Sequence, residues 1–189
     1  MEPLQFVNSL DAKKHILLLC NDQTFGKMIE LRFLENGLMK GESGIYLTSK
    51  DPERIIDMMV EFNMDIWPYL KNKSLQILQL PKFDEDPGGI LLGIEKFMQK
   101  MLSELKPPYR IVGRIISDVS TELGMSVELT LERYLHARFD SLDGSFLCTY
   151  HYCEVPEKSR LKWMDSLMKN HHAVIYANGP NKARATLLV

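Results

Sequence analysis

The sequence predicts a doubly wound α/β domain: a mainly parallel sheet with helices on both faces and a C-terminal β-hairpin. Three observations carry this prediction. Strand-like apolar runs alternate with helix-period segments, the pattern of βαβ units. The first run, HILLLC from His15 to Cys20, is apolar on both faces, as a central parallel strand should be. The chain closes with AVIYA, an NGPN turn and ARATLLV, which reads as a short antiparallel edge strand.

The elements follow in order. A helix is expected over Phe25 to Asn36, with Met28, Leu31 and Phe33 or Leu34 on one side and Gly37 placed to stop it. GIYLTS, Gly44 to Ser49, is the second strand. Asp51 is a natural N-cap and Pro52 a first helical residue for the apolar stripe of Ile55, Ile56, Met59 and Phe62. LQILQL, Leu75 to Leu80, is the third strand, and PKFDEDPGG a loop by composition. Ile90 to Leu105 is an amphipathic helix ended by Pro107 and Pro108. Tyr109 to Ile116 is the fourth strand. Ser126 caps a helix reaching Phe139, with Glu128 in its first turn. Ser145 to Tyr150 is the fifth strand, Pro156 to Asn170 a helix, and Ala173 to Ala177 the sixth strand.

The 189 residues, 45% hydrophobic, suit one domain with a sizeable core, read as 1–189 with residues 1–14 as an N-terminal extension. A formal charge of −2 gives no global pull toward nucleic acid or anionic membrane. No apolar run approaches the roughly 20 residues of a membrane span. The start, MEPLQFVNSLDAKKH, lacks the basic and apolar regions of a secretory signal. Cys20, Cys148 and Cys153 read as reduced thiols, so a cytoplasmic location is expected. Cys148 and Cys153 are too far apart for a CxxC motif, and no metal is expected.

The segments HILLLC, FLENGLMKGESGIYLTS, YRIVGR, FLCTYH and NHHAVIYANG, in this order and spacing, run through nearly the whole chain from His15. In that order the chain resembles the RecA-like ATPases of the KaiC type. Within that superfamily it is similar to a degenerate branch, the MEDS domain, a sensory domain of methanogens and methylotrophs. The resemblance implies a RecA-like fold, a phosphate loop after the first strand, catalytic acids after the second and a Walker B acid ending a later one. It also implies self-association and an archaeal source.

The catalytic parts are degraded. A phosphate loop needs glycines to wrap phosphate with backbone N–H groups, a Lys for charge and Ser or Thr for magnesium. Here the loop reads NDQTFGKM. Gly26 and Lys27 survive in form, but Asn21 holds the first glycine position and Met28 the hydroxyl position. Asp22 places negative charge near an incoming phosphate. Lys27 is either a solvated helix lysine or a relic of an anion site at the helix N-terminus. Where the resemblance implies paired glutamates before a proline, Lys50 and Asp51 precede Pro52. A lysine of ordinary pKa is no base for water. The Walker B position falls on Gly113 or Arg114, or on Asp118 if the strand runs longer. Asp118 is equally read as a helix N-cap.

Ligands of doubly wound sheets bind outside the C-terminal strand ends. The crevice candidates are Asn21, Asp22, Ser49, Asp51, Arg114 and His151, a polar set with both charges that also fits a solvated sheet edge. Arg110 and Arg114 would share a face of the fourth strand and need partners, with Asp22, Asp51 or Asp118 as candidates. A His151–Cys153 nucleophile pair is local in sequence without evident convergence. His171 and His172 have no carboxylate or cysteine at ligand spacing. Trp67, Tyr69 and Trp163 read as packing aromatics. No catalytic residue is assigned.

The expected function is therefore a non-catalytic sensory or regulatory domain without a cofactor, binding a small ligand or a regulatory protein. The alternatives are a divergent ATPase using ATP and magnesium through Gly26, Lys27 and Asp118, and a ligand-free protein–protein module.

Overall fold

The computed structural model describes residues 1–11, 13–116 and 118–188, Asp84 in its backbone alone. Strands β1 (His15–Cys20), β2 (Ser43–Thr48), β3 (Leu75–Gln79), β4 (Tyr109–Val112), β5 (Gly144–His151), β6 (Ala173–Ala177) and β7 (Arg184–Leu187) form one sheet. Its order is β3-β2-β4-β5-β1-β6-β7. Neighbours run parallel except β6 and β7, which make the expected antiparallel hairpin.

Helices α1 (Pro3–Asn8), α2 (Gln23–Met39), α3 (Pro52–Glu61), α4 (Trp67–Lys71), α5 (Ile90–Ser103), α6 (Glu122–Arg138) and α7 (Glu157–Met168) cover both faces. Strand alternation sorts the core into two layers. Ile16, Leu18 and Cys20 pack with Phe33 of α2 and Met59 of α3. Leu17 and Leu19 pack with Met101 of α5, Met125 of α6 and Trp163 of α7. HILLLC is apolar throughout because both of its faces are covered. At the N-terminus α1 buries Phe6 and Val7 against this core, and the Met1 amine donates to the Ala185 carbonyl.

Three boundaries differ from expectation, each for a local reason. Gly37 does not stop α2 but lies inside it. A Cβ there would sit 2.7 Å from Cβ and Cγ of Arg110, so the glycine admits the arginine passing beneath the helix. The terminating glycine is Gly41, at φ 84°, the left-handed conformation glycine adopts without penalty. α6 begins a turn earlier than Ser126. Thr121 is its N-cap, its hydroxyl accepting from the Gly124 N–H at 3.0 Å. That extra turn moves Glu128 from a first turn into the helix interior, where it is buried.

Strand β4 ends at Val112 rather than Ile116, so Arg110 and Arg114 do not share a strand face. Arg110 is buried and makes a bidentate pair with Glu42, at 2.7 Å from Nε and 2.6 Å from Nη2. It also lies over the Phe33 ring. Arg114 pairs with Glu154 at 2.6 Å. The ion pairs shown are thus made not with Asp22, Asp51 or Asp118 but with Glu42 in the turn after α2 and Glu154 in the turn after β5, while Asp118 feels Arg114 only at longer range.

Candidate ligand cleft at the strand ends

The C-terminal ends of β2, β4 and β5 and the first turns of α2 and α3 enclose a cleft of about 380 Å³. Lys27 and Glu30 of α2 form one wall with Tyr46 of β2. Ser49, Lys50 and Arg54 form another, and Arg114, Thr149, His151 and Glu154 a third. Three of the expected crevice residues, Ser49, Arg114 and His151, are therefore brought together.

Asn21, Asp22 and Asp51 do not line it, because short polar side chains at helix starts are spent on local bonds. Asn21 Nδ2 donates to Asn178 Oδ1 at 3.1 Å. Asp22 caps α2 by accepting from the Phe25 N–H at 2.9 Å. Asp51 caps α3, as expected, by accepting from the Glu53 N–H at 3.0 Å.

The connection from β1 to α2 is not a phosphate loop in geometry. Only Asn21 and Asp22 separate strand from helix. Their backbone N–H groups, which a phosphate loop aims at its ligand, both donate to the Ala177 carbonyl, at 3.1 and 3.2 Å. The helix N-terminus that would attract an anion is occupied by the chain's own Asp22 carboxylate. Gly26 is there for packing: a Cβ would lie 2.6 Å from Cys20 Sγ. Burial pushes the Cys20 thiol far up, and Glu30 adds to it.

Lys27 is not a free solvated lysine. Its ammonium donates to Glu30 at 2.6 Å and to the Tyr46 hydroxyl at 2.8 Å, and Tyr46 in turn donates to Glu30 at 2.6 Å. Burial and the Glu30 charge hold the Tyr46 phenol well above its usual value, so it remains a donor. Asp118 is exposed and outside the cleft. It accepts from the N–H and hydroxyl of Ser120, which hold its carboxyl below the usual value. The cap of α6 belongs to Thr121.

The groups left to a ligand are different ones. Thr149 Oγ1 and His151 Nδ1 are buried without a hydrogen-bond partner, and both residues line the cleft. Burial lowers the His151 imidazole pKa below its ordinary 6.5, with Glu154 opposing, so the ring is neutral at pH 7. Lys50 and Arg54 are exposed. With Lys27 and Arg114 they outnumber the two lining carboxylates, Glu30 and Glu154. The cleft therefore favours negative charge. Cys153 is exposed on the next turn and makes no bond with His151, so no nucleophile pair forms there among the described residues. Trp163 packs in the core, donating to the Met125 carbonyl, whereas Trp67 is 61% exposed and packs only in part.

Sequence reasoning missed Glu30, Tyr46, Arg54 and Thr149. Glu30 was readable as the i+3 partner of Lys27. The other three needed the register that places β2, α3 and β5 side by side.

Sheet order, terminal hairpin and helices on both faces define a RecA-like domain of KaiC type in fold. The crystal structure of a KaiC-like protein from the hyperthermophilic archaeon Pyrococcus horikoshii OT3 superposes with a TM-score of 0.63. The match covers 92% of this chain and 77% of that one, at 13% sequence identity. No family model matches the chain, and no curated protein matches it.

Proposed function

We propose that this chain is a non-hydrolysing sensory or regulatory domain of KaiC-like fold. In this reading it takes a small, negatively charged polar ligand in the strand-end cleft and signals through a partner chain or a second copy of itself. The observation that carries the reading is the β1–α2 connection. Its two N–H groups are given to Ala177, and its helix N-terminus is capped by Asp22. A nucleotide would have to displace both. The ATPase alternative asks still more: Lys27 must leave Glu30 and Tyr46, and Asp118 must enter a cleft it does not line.

Retention of open polar groups supports a ligand rather than an abandoned surface. Thr149 Oγ1 and His151 Nδ1 want partners, and buried polar atoms are costly to leave bare. The resemblance of the ordered segments to MEDS domains supports a sensory role. No cofactor belongs to the reading.

Thermal melting tests it, because any ligand of the folded state raises the midpoint by mass action. Small mono- and dicarboxylates are expected to raise the melting temperature. The shift should vanish when Lys50→Ala and Arg54→Ala are combined. A shift with magnesium-ATP together with phosphate release, and none with carboxylates, would defeat the reading.

A further inference from the structure

On the opposite side of the sheet from α2, polar groups gather in the core between β1, β5, α6 and the start of β6. His15, Glu132, Cys148 and His171 are all buried, and one ligand atom from each lies within 4.8 Å of the others. His15 Nε2 is 3.3 Å from Cys148 Sγ and 3.1 Å from Glu132 Oε2. Glu132 Oε2 is 3.5 Å from His171 Nε2.

Hydrogen bonding alone does not account for this group. The His171 Nδ1 lies 2.8 Å from the Leu167 carbonyl, which can only accept, so Nδ1 carries the proton and Nε2 presents a lone pair. His171 Nε2 faces Glu132 Oε2 at 3.5 Å, and among the described residues neither atom has a hydrogen bond of good geometry, although His15 Nε2 lies 3.1 Å from the same oxygen. A neutral imidazole lone pair and a carboxylate oxygen buried this close together call for a cation or a proton between them.

The remaining carboxylate oxygen of Glu132 is fixed from behind. Tyr150 Oη contacts Glu132 Oε1 and lies 2.5 Å from Glu128 Oε1. One phenol proton cannot serve two carboxylates, so one acid is protonated. The Glu128–Tyr150–Glu132 chain engages Glu132 through Oε1 and leaves its Oε2 facing His15, His171 and Cys148. The backbone carbonyl on His171 and this chain on Glu132 are the outer supports that metal ligands have.

We infer that His15 Nε2, His171 Nε2, Glu132 Oε2 and Cys148 Sγ form a closed tetrahedral site for a zinc-class divalent ion. Bond lengths of roughly 2.0 Å to nitrogen or oxygen and 2.3 Å to sulfur imply ligand spacings of about 3.3 to 3.6 Å. Three of the six separations, 3.1, 3.3 and 3.5 Å, lie close to that edge length, and the others, within 4.8 Å, close up by about an ångström or less as the ion is taken. The mixed N, O and S donors suit a borderline ion rather than magnesium or calcium. Binding releases the Cys148 proton to solvent and leaves a thiolate on the ion. An apolar cavity of about 260 Å³ beside α5 and α6 has His15 in its wall and provides the approach.

The test uses the full chain, stripped of metal with a chelator and titrated with cobalt(II). A single cobalt per chain is expected, with the intense visible bands of tetrahedral geometry and a near-ultraviolet thiolate charge-transfer band. Cys148→Ser should abolish the charge-transfer band. His171→Gln should weaken binding by at least about a hundredfold, beyond the loss an outer support causes. Cys153→Ser, altering an exposed thiol, should leave the spectrum unchanged and keeps the test decisive even if Cys148→Ser fails to fold. No cobalt band in the wild-type chain, a band that survives Cys148→Ser, or a band lost in Cys153→Ser would overturn the inference.

Discussion

The two polar regions of this molecule lie on opposite faces of one sheet and satisfy their charges in opposite ways. In the strand-end cleft, charged groups are paired by near neighbours. Lys27 is held by Glu30 one helical turn away, and Asp22 is spent on its own helix. In the cluster beneath α6, His15, Glu132 and Cys148 come from β1, α6 and β5 and His171 from the turn before β6, leaving polar atoms unpaired among the described residues. The charges of the cleft are balanced locally, whereas the core cluster is incomplete as a hydrogen-bonded unit among the described residues.

Arg114 joins the two regions. It lines the cleft, pairs with Glu154 and lies over the ring of Tyr150, whose hydroxyl supports Glu132.

Several changes would break or sharpen the contrast. The largest effect is expected from Glu42→Gln, which strands Arg110 in a buried position. Breaking such a pair costs about 3 to 5 kcal/mol, read as a lower urea midpoint at an unchanged slope. It calibrates the price of a fully buried charge in this sheet. Tyr150→Phe should follow, costing about 2 kcal/mol, because it leaves two buried carboxyl groups without their bridging hydroxyl. Urea melts of the metal-free chain read it. Lys27→Met should cost only about 1 kcal/mol, since Glu30 retains Tyr46 as a donor. If Lys27→Met proved as damaging as Tyr150→Phe, the cleft would not be the more weakly coupled region.

The smallest effect concerns pH. His151 has a folded pKa below 6.5, so the unfolded chain takes up its proton first as pH falls. Stability carried by the neutral ring is present above pH 6.5 and declines as pH drops from there toward the folded value. His151→Gln should flatten the melting temperature across that window relative to wild type. An unchanged slope would mean the ring is not buried in solution.

The fold was largely legible because it depends on local periodicity. HILLLC announces a strand covered on both faces, and Asp51-Pro52 announces a helix start. Boundaries failed where a residue type had two uses. Gly37 looks like a stop signal yet serves a close approach by Arg110, and Ser126 looks like a cap yet lies exposed within α6. The location of the cleft followed from the doubly wound topology, but half of its residues did not. Asn21, Asp22 and Asp51 are the very types that helix starts consume. The histidine cluster was illegible for another reason. His171 was judged by its sequence neighbours, whereas Glu132 and Cys148 reach it only through the β1–β5 register and the extra turn of α6.

The central claim is that the site after β1 no longer serves phosphate, and isothermal calorimetry with magnesium-ATP tests it most directly. No measurable heat of binding and no phosphate release are expected, with the same result for wild type and Lys27→Met. Saturable, magnesium-dependent binding that Lys27→Met abolishes would contradict it.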